Sequence, residues 1–445
     1  MTVENLQCAE APTKTMCCLQ GDEDSECGMM NELCEATHKE FLSDGGDSGC
    51  DMMVNEWQTR KLGELVVFKT GKLDSNAAVP DGDYPFFTCS QETLRTNTYS
   101  FDTECVLLAG NNANGIYPLK YFNGKFDAYQ RTYIVKPKNT EELTTKFLYY
   151  SLRPKLSELR SFSTGAATKF LTLTILNETE IQVPPLPLQR RIAGILSAYD
   201  ELIENSQRRI RILEEMARSL YREWFVHFRF PGHENHPLVP SSLGDIPQGW
   251  EVKTVADSFE IFGGGTPSRK QQEYWDGGAI QWFSPSDLTG AGSMFMDDSR
   301  DHITKLGLAQ SSARLFPAGS VMLTSRATIG AIAINTHEAC TNQGFIICLP
   351  NDRVFRFFLF HWLKENVTKF QRMASGATFK EISRGVFKTI EFLHPSAKLV
   401  RRFEDVATPM IEQALAFQRQ IQNLRRTRDL LLSRLLSGQI VMNND

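Results

Sequence analysis

The 445-residue sequence predicts an α+β fold with two strand-rich domains in a pseudo-two-fold arrangement, joined by two long antiparallel coiled-coil helices. Three observations predict this architecture. The phrase QRRI at 189–192 returns as VRRF at 400–403, an offset of 211 in the numbering. An apolar repeat with alternating steps of three and four residues follows each phrase. Short apolar runs separated by Gly, Asn and Asp precede it, which is typical of strands with polar loops.

The internal repeat extends far on both sides of the arginine pair. Adding 211 carries Pro184 onto Pro395 and Ile210 onto Ile421 without a gap, and further upstream the similarity continues with gaps. A repeat of this length is much longer than the roughly 20–50 residues of a solenoid unit. It indicates a duplicated domain with a trailing helix, and therefore a function that is performed twice.

The repeat and the local composition divide the chain into seven predicted segments. A chain of 445 residues has room for two or three domains, each with its own core. The segments are an acidic, Cys-rich extension expected to be disordered (1–56), a first strand-rich domain (57–184), a central helix (185–228), a linker (229–249), a second strand-rich domain (250–395), a distal helix (396–438) and a tail (439–445).

The extension 1–56 differs from the rest of the chain in charge and in cysteine content. It holds 13 acidic and 2 basic residues, a net charge of −11, whereas the remaining chain carries a net charge of +6. Six of the ten cysteines lie here without the C-x2-C pairs of zinc sites, which favours free thiols over a metal or redox site. The mildly basic body is compatible with a nucleic-acid partner.

Membrane and export signals do not occur in this sequence. No run of 18 or more apolar residues is present, so we expect no membrane span. The first residues, MTVENLQCAE, lack the basic and apolar regions of a signal peptide. We therefore expect a cytoplasmic protein.

The central and distal helices each carry a coiled-coil seam. Their apolar positions alternate in steps of three and four, which is the a/d pattern of heptads. In the second seam Arg428 is a polar interruption, and Pro409 behind Thr408 is expected to restart the helix as its first residue. The predicted seam residues are Leu196, Tyr199, Ile203, Ile210, Leu213, Leu220 and Trp224 in the first helix, and Met410, Phe417, Ile421, Leu424, Leu431 and Leu435 in the second.

The lengths of these helices predict how they pair. A helix of about 40 residues is about 60 Å long, and the short connector that follows the first helix cannot run back along it. The second domain therefore begins at the far end of the first helix, and its own helix returns toward the first domain. We expect an antiparallel two-helix rod with a domain at each end. The alternative is that each helix packs only on its own domain.

Polar loops interrupt the predicted strands, which include YPFF, CVLLA and RTYIV in the first domain and IQWF, SVMLT and GFIICL in the second. Asn and Gln can pair with adenine, and Arg and Lys with guanine. Such loops on two domains at a fixed separation predict bipartite DNA reading. The candidate DNA-binding residues are Asn111, Asn112, Asn114, Lys120, Lys125, Tyr129, Gln130, Arg131, Lys169, Thr266, Arg269, Lys270, Gln271, Arg326, Asn342, Gln343 and Lys380.

Common catalytic and cofactor motifs do not occur in this sequence. No G-x4-G-K-[ST] phosphate loop is present, and the cluster GGGTP (263–267) lacks the strand context of a dinucleotide fingerprint. VPPL (183–186) is not the Asn/Asp-Pro-Pro-aromatic tetrapeptide of amino-methyltransferases. The eight histidines show no ligand spacing. We expect a chain that binds and positions, with no catalytic residue, metal or cofactor of its own.

Several phrases of the two copies belong together: PLPLQRRIAGILSAYDELIE at the first helix start, ARSLYREWF near its end, TNQGF, SGATFKEI and the closing LLSRLLSGQI. In combination they resemble the DNA-specificity subunits of type I restriction–modification systems. The resemblance covers roughly 57–440, in both copies. Two departures remain, since the second helix start, PSAKLVRRF, lacks the Gln, and residues 1–56 resemble nothing in the family.

The resemblance implies two target recognition domains, each reading one part of a split double-stranded DNA site. It implies that the paired helices set the unread gap and dock two DNA adenine-methyltransferase subunits on parts of 189–225 and 400–436. ATP-dependent restriction subunits would join this core, and S-adenosylmethionine, ATP and Mg would belong to the partner subunits. The alternative is a two-domain DNA-binding regulator without an enzymatic partner, which fits the architecture but not the phrases at the helix starts.

Overall fold

The computed structural model describes residues 57–112, 116–163, 169–376 and 380–440. The predicted extension 1–56, Asn114 and residues 441–445 of the predicted tail lie outside the described residues. Within them the chain forms two domains of mixed helix and strand content and two long helices, as predicted. Among the described helices, none is long and apolar enough to cross a membrane.

The first domain is built around a six-stranded sheet. Its strands are β1 Gln58–Lys61, β2 Val66–Thr70, β3 Tyr84–Phe87, β4 Leu94–Thr96, β5 Phe101–Ala109, β6 Asn111–Asn112, β7 Leu119–Ala128, β8 Thr132–Pro137, β9 Lys169–Phe170 and β10 Glu180–Val183. The sheet order is β2-β8-β5-β7-β3-β4, while β1 pairs with β10 and β6 with β9. The last five residues of the central strand β5 are buried, which explains the unbroken apolar run CVLLA.

The second domain repeats this sheet with one division. Its strands are β13 Glu251–Thr254, β14 Ile261–Phe262, β15 Ile280–Phe283, β16 Phe295–Met296, β17 Asp301–Ile303, β18 Val321–Thr324, β19 Ile332–Asn335, β20 Ala339–Thr341, β21 Phe345–Cys348 and β22 Glu391–His394. One sheet has the order β14-β21-β18-β19-β16, the other β17-β15-β20, and β13 pairs with β22. In the first domain β7 pairs with both β5 and β3. In the second domain two strands make the corresponding pairs, since β19 pairs with β18 and β20 pairs with β15.

The helices show where the duplication keeps its register. They are α1 Leu62–Leu65, α2 Thr145–Leu152, α3 Leu156–Phe162, α4 Leu173–Glu178, α5 Leu186–Tyr221, α6 Val255–Ser258, α7 Pro285–Ala291, α8 Lys305–Ala309, α9 Arg356–Glu365, α10 Val367–Met373, α11 Arg384–Lys388 and α12 Ala397–Leu436. The pair α3 and α10, like β10 and β22, keeps the full offset of the repeat, whereas β1 and β13 lie closer together in the chain. The second domain is therefore longer than the first, and its additional residues lie in its first part, which contains α7 and β16.

The two long helices pair antiparallel, and each end of the pair belongs to the core of one domain. Leu196 near the start of α5 lies in the first domain's core with Leu432 and Leu435 from the end of α12. Tyr221 at the end of α5 lies in the second domain's core with Phe403 from the start of α12, with ring centroids 5.9 Å apart. The predicted antiparallel rod is confirmed, and the alternative of separate packing is wrong.

Of the predicted seam residues, Leu196, Ile203, Trp224, Ile421 and Leu435 are buried and the others are half-buried, and the seam is shifted at two positions of α12. Ile411 and Leu432 are buried there, whereas Met410 and Leu431, which the heptad pattern predicts, are only half-buried. In α12 the buried positions are separated by two successive steps of four residues and then by a step of three. A straight helix with 3.6 residues per turn drifts against a strict heptad in this way.

The prediction that Pro409 restarts the second helix is wrong. The helix α12 begins at Ala397, where the Ser396 hydroxyl accepts a hydrogen bond from the Leu399 N–H at 3.3 Å, and Pro409 lies inside it on the exposed side. A proline inside a helix costs about 3 kcal/mol. Phe403 and Ile411, buried in the second domain's core on either side of the proline, hold the helix together across it.

The start of each long helix is fastened to its own domain by different chemistry. In the first copy the buried Gln189 accepts a hydrogen bond from the Thr144 N–H at 3.0 Å and donates to the Glu142 and Pro184 carbonyl oxygens at 2.8 and 2.9 Å. The second copy has no glutamine there. Glu404, one turn further along, accepts hydrogen bonds from the N–H groups of the first turn of α9 at 2.9 and 3.3 Å. This carboxylate supplies the fastening that the missing glutamine would make.

The connector between α5 and the second domain is folded. Residues Arg222–Val226 continue α5 as one π-helical turn, and a hairpin of β11 Leu238–Ser241 and β12 Gly244–Pro247 follows. Phe230 stacks on Trp250 with ring centroids 5.6 Å apart, and both are buried. The sequence pattern predicts a polar linker here, and these two aromatic side chains are what give it structure.

Candidate nucleic-acid interface

Three separate segments of the first domain meet at one backbone frame. The Gly110 N–H, at the end of β5, donates to the Arg131 carbonyl oxygen at 2.8 Å. The Gly110 carbonyl oxygen in turn accepts from the Leu171 N–H at 2.9 Å. One residue further on, Asn111 pairs with Phe170 in the β6–β9 ladder. The loop after β5, the β7–β8 turn and the segment around β9 are therefore held side by side.

The second domain contains the same frame. The Ser325 N–H donates to the Gly344 carbonyl oxygen at 2.8 Å, and the Ser325 carbonyl oxygen accepts from the Ile382 N–H at 3.0 Å. Arg326 pairs with Glu381 in an isolated bridge. Arg326 thus occupies the place of Asn111. The duplication has kept the backbone hydrogen bonds and changed the side chains that they present.

A glycine turn supports each frame from the neighbouring strand. A Cβ on Gly71 would lie 2.1 Å from the Ala128 carbonyl oxygen, and a Cβ on Gly264 would lie 2.1 Å from the Thr341 carbonyl oxygen. No other residue type fits at either position without moving backbone atoms. The N–H groups of the next residues, Lys72 and Gly265, donate to the same two carbonyl oxygens at 3.0 and 2.9 Å.

Most of the predicted DNA-binding residues reach the surface. The exposed ones are Lys125, Gln130, Arg131, Thr266, Arg269, Lys270, Gln271, Arg326, Gln343 and Lys380. The half-buried ones are Asn111, Asn112, Lys120, Tyr129 and Asn342. Asn114 and the side chain of Lys169 lie outside the part of the chain that is described, although the backbone of Lys169 pairs with Asn112.

The frames bring many of these residues together. In the first domain Arg131 lies over the Phe170 ring, with its guanidinium carbon 5.5 Å from the ring centroid. In the second domain the Thr266 hydroxyl donates to the Gln343 side-chain oxygen at 2.7 Å, and Lys380 accepts a backbone hydrogen bond from Ala327 at 3.1 Å. The sequence-predicted loops of each domain therefore form one polar surface around each frame.

Three of the predicted residues make side-chain contacts within their own domain. The Lys120 ammonium donates to the Ser90 and Glu92 carbonyl oxygens at 3.3 and 2.9 Å, and burial lowers the pKa of this lysine. Arg269 forms a 2.5 Å ion pair with Asp301 and stacks on a tryptophan ring. Lys125 lies 4.7 Å over a tyrosine ring and is not part of the frame. Through these contacts all three side chains help to fix the conformation of their own domain.

Sequence reasoning missed Cys89, Glu381 and Arg384 at this surface. The Cys89 sulfur lies 2.9 Å from the Asn111 side-chain oxygen. Glu381 and Arg384 line a cavity of about 400 Å³ next to the second frame, together with Gly263 and Gln343. Glu381 could have been identified from the internal repeat, because the offset of 211 residues aligns Glu381 with the frame residue Phe170.

The chemistry of the two surfaces is that of hydrogen-bond recognition. Each presents amide or guanidinium donors on loops that backbone hydrogen bonds hold rigid, and such groups can contact base edges and phosphates. Among the described residues no group of three or more His, Cys, Asp or Glu side chains could hold a metal ion. Both surfaces therefore present hydrogen-bond donors of the kind that a polar, acceptor-rich polymer can accept from.

The helix pair adds exposed apolar side chains between the domains. They are Leu202, Ile212 and Met216 on α5, and Val406 and Leu430 on α12. These side chains lie outside the buried face of the helix pair.

Two equivalent polar surfaces at the ends of a paired-helix rod define the class of a bipartite nucleic-acid-binding protein. The family profile described as type I restriction modification DNA specificity domain matches residues 54–215 and again residues 247–398. The chain belongs to this family of type I restriction–modification DNA-specificity subunits, because the profile matches both of its domains.

Curated relatives agree with this assignment. The EcoDI specificity subunit of Escherichia coli is 27% identical over 351 residues, which cover 74% of each chain. The HindI specificity subunit of Haemophilus influenzae is 24% identical over 328 residues, covering 61% of this chain and 71% of that one. The crystal structure of the S subunit from M. genitalium superposes with a TM-score of 0.58 at 18% identity, over 87% of this chain and 97% of that one. This last likeness supports the fold.

Proposed function

We propose that the chain reads a split double-stranded DNA site, one part with each domain, within a type I restriction–modification complex. The duplicated frame is the observation that carries the proposal. The same hydrogen bonds join equivalent backbone positions in both domains, whereas the side chains presented there differ, with Asn111 in one and Arg326 in the other. A constant frame with different side chains is suited to two independent readers of different sequences.

The helix pair supports the second part of the proposal, a fixed unread gap. The helices contain 36 and 40 residues, which corresponds to about 54 and 60 Å at 1.5 Å per residue. Both ends of the pair are buried in domain cores, so the two reading surfaces have a set separation. The gap between the two half-sites then follows from the length of the rod.

The partners in this proposal are two DNA adenine-methyltransferase subunits and the ATP-dependent restriction subunits. The methyltransferase subunits dock on the outer faces of the helices within 189–225 and 400–436, where the exposed residues Ile212 and Leu430 offer apolar contacts. The chain itself contributes recognition and no catalytic residue. S-adenosylmethionine, ATP and Mg belong to the partner subunits.

A domain exchange tests whether the halves read independently. Residues 57–184 are replaced with the matching domain of a related specificity subunit, and methylated adenines are mapped across the genome of cells that express the full complex. One half of the methylated sequence should change, and the other half and the gap should stay the same. The matched control is the reciprocal exchange of residues 250–395, which should change only the other half.

The exchange also has an outcome that contradicts the proposal. If either exchange alters both half-sites together, the domains are not independent readers. A change in the gap with both half-sites preserved would assign spacing to the domains in place of the rod.

A further inference from the structure

The middle of the helix pair carries charges of one sign only. Residues 205–213 of α5 and 413–428 of α12 contain seven arginines and no Asp or Glu. The two stretches lie beside each other, since the Arg209 guanidinium carbon is 5.4 Å from the centroid of the Phe417 ring. A solvent-exposed face of a paired helix ordinarily alternates acidic and basic residues that form salt bridges. This stretch of the rod departs from that pattern.

The seven arginines divide into those with a partner in the protein and those without one. Four contact an acidic residue or an aromatic ring: Arg208, Arg209, Arg419 and Arg428. The other three, Arg211, Arg425 and Arg426, are exposed and form no ion pair with any residue that the structure describes. The charge of these three side chains is therefore available to an anionic partner.

Arg211 lies on the side of α5 that contacts the two domains. Residues seven or eleven positions apart lie on the same side of a helix, because one turn takes 3.6 residues. Arg211 comes eleven residues after Asp200, whose carboxylate accepts a hydrogen bond from the first domain's Tyr150 at 2.8 Å. It comes seven residues before Arg218, which lies 3.3 Å from Glu365 of the second domain. The stretch of α5 between these two contacts is about 27 Å long.

Arg425 has the corresponding place on α12. It comes seven residues after Gln418, whose side-chain amide donates to the Phe295 carbonyl oxygen of the second domain at 3.1 Å. It comes seven residues before Leu432, which belongs to the first domain's core. Arg426 follows it directly. The unpartnered arginines of both helices therefore lie between the domains.

We propose that Arg211, Arg425 and Arg426 bind the phosphate backbone of the unread gap, an inference that rests on the proposed reading of a split site. DNA that reaches both domains passes the middle of the rod. Double-stranded DNA carries one negative charge per about 1.7 Å of its axis, and this stretch of the rod offers positive charges alone. Phosphate contacts carry no sequence information. The gap thus adds to affinity while its sequence remains unread.

The test measures how the affinity of the assembled complex for DNA depends on salt. Duplexes carry the site identified by adenine mapping, and the association constant is measured between about 50 and 200 mM salt. The triple variant R211Q/R425Q/R426Q should reduce the slope of log K against log salt concentration by about 2–3, since each lost phosphate contact contributes about 0.9. Base preference in both half-sites should not change. The control R211K/R425K/R426K keeps the three charges and should retain most of the wild-type slope.

A second measurement changes the DNA and leaves the protein intact. Uncharged methylphosphonates replace the phosphates of the gap only. They should reduce the slope of the wild-type complex as the triple glutamine variant does, and they should cause little further reduction in that variant. The same number of methylphosphonates outside the two half-sites is the control, and it should affect the wild-type complex and the variant equally.

Two results would overturn the gap contact. One is a wild-type salt slope in the triple glutamine variant. The other is a variant that loses its methyltransferase subunits while methylphosphonates in the gap still act as they do in the wild type, which would assign the arginines to an acidic protein surface. If the domain exchange transfers the first half-site and the triple glutamine variant keeps the wild-type slope, only the gap contact fails and the proposed function stands.

Discussion

The two junctions between the helix pair and the domains occupy equivalent places in the repeat but are built from different chemistry. At the first junction Asp200 of α5 accepts hydrogen bonds from Arg428 of α12 at 2.5 Å and from the Tyr150 hydroxyl at 2.8 Å. Arg153 lies 3.5 Å from the same carboxylate. Arg428 is only 9% exposed, so its charge is largely removed from water.

At the second junction the ion pair is replaced by Ile411 and Ala217, both fully buried. His361 takes the place of the tyrosine and stacks on Tyr221 with ring centroids 5.6 Å apart. Burial, helped by nearby cationic side chains, lowers the pKa of His361 to about 3, so its imidazole is neutral at physiological pH. One junction is a network of charges, and the other is an aromatic and aliphatic core.

The difference teaches how the helices recognise each other. If two copies of α5 paired in the same antiparallel register, Asp200 of each would face Ala217 of the other and would lose Arg428. If two copies of α12 paired, Arg428 would face Ile411. Each of these pairings loses the Asp200–Arg428 ion pair, so that Asp200 keeps only Tyr150 and Arg153, and Arg428 keeps only Asp429. Loss of one partner of a largely buried charge is destabilising. The unlike junctions therefore favour α5 with α12 over either helix with itself.

The largest expected effect comes from breaking the charged junction. Arg428→Ala leaves Asp200 with only Tyr150 and Arg153. It should lower the free energy of unfolding by about 3 kcal/mol. This value is near the lower end of the range for a broken buried ion pair, because the Asp200 side chain is 29% exposed. Urea unfolding followed by tryptophan fluorescence measures the loss. A loss below about 0.5 kcal/mol, which is the size of an ordinary surface substitution, would show that the network does not stabilise the junction.

A rescue variant sharpens this comparison. The triple variant Y150F/D200I/R428A gives the first junction the apolar character of the second and leaves Arg153, 3.5 Å from the Asp200 carboxylate in the wild type, as the partly buried charge that loses a partner. It should recover to within about 1 kcal/mol of the wild type, because an apolar replacement of an ion pair is often neutral. A triple variant as unstable as Arg428→Ala would show that the two junctions are not interchangeable.

The second expected effect is the acid sensitivity of the apolar junction. The folded pKa of His361 of about 3 lies below the ordinary value of 6.5, so its contribution to stability is complete above pH 6.5 and falls as the pH drops toward 3. Between pH 7 and pH 5 this group should remove about 2 kcal/mol. His361→Phe keeps the aromatic packing and should abolish this loss. Unfolding curves at both pH values compare the two proteins, and equal losses in both would exclude His361 as the source.

The smallest expected effect has the opposite sign and comes from the fastening of α12. Burial raises the pKa of Glu404 to about 6 from 4.5, so its contribution is complete below pH 4.5 and is lost as the pH rises through 6. Glu404→Gln should therefore be about 1–2 kcal/mol more stable than the wild type at pH 7 and nearly equal to it at pH 4.5. The uncharged Gln189 performs this task in the first copy. A difference that does not vary with pH would contradict the assignment.

Much of the fold could be predicted from the sequence because the duplication doubles each local signal. The seam residues Leu196 and Ile421 are buried as predicted, and runs such as YPFF and IQWF are strands. Pro409 could not be placed correctly, because the core against which its helix neighbours Phe403 and Ile411 pack comes from distant parts of the second domain. Local propensity predicts an interruption there, and tertiary packing prevents it.

The reading surfaces could be predicted as loops but not as side-chain roles. The amide and basic residues identify the segments that meet at each frame, as Asn111 and Gln343 show. The sequence does not reveal that Lys120 is occupied by carbonyl groups from a distant loop, or that Arg269 is paired with Asp301. Contacts of this kind depend on which loops the sheet brings together, and they cannot be inferred from the composition of the loops.

The chain nearly closes on itself at the first domain. A side chain on Gly438 would begin 3.9 Å from the Trp57 ring, and Ile440 packs on the same core as Trp57. Residues near 57 and near 440 are thus neighbours, and the hairpin at 238–247 links the two halves on the opposite side. For recombination between genes of this architecture, a breakpoint in the hairpin exchanges one domain together with its helix, and the first junction then forms again where the new half supplies the partner of Asp200 or of Arg428.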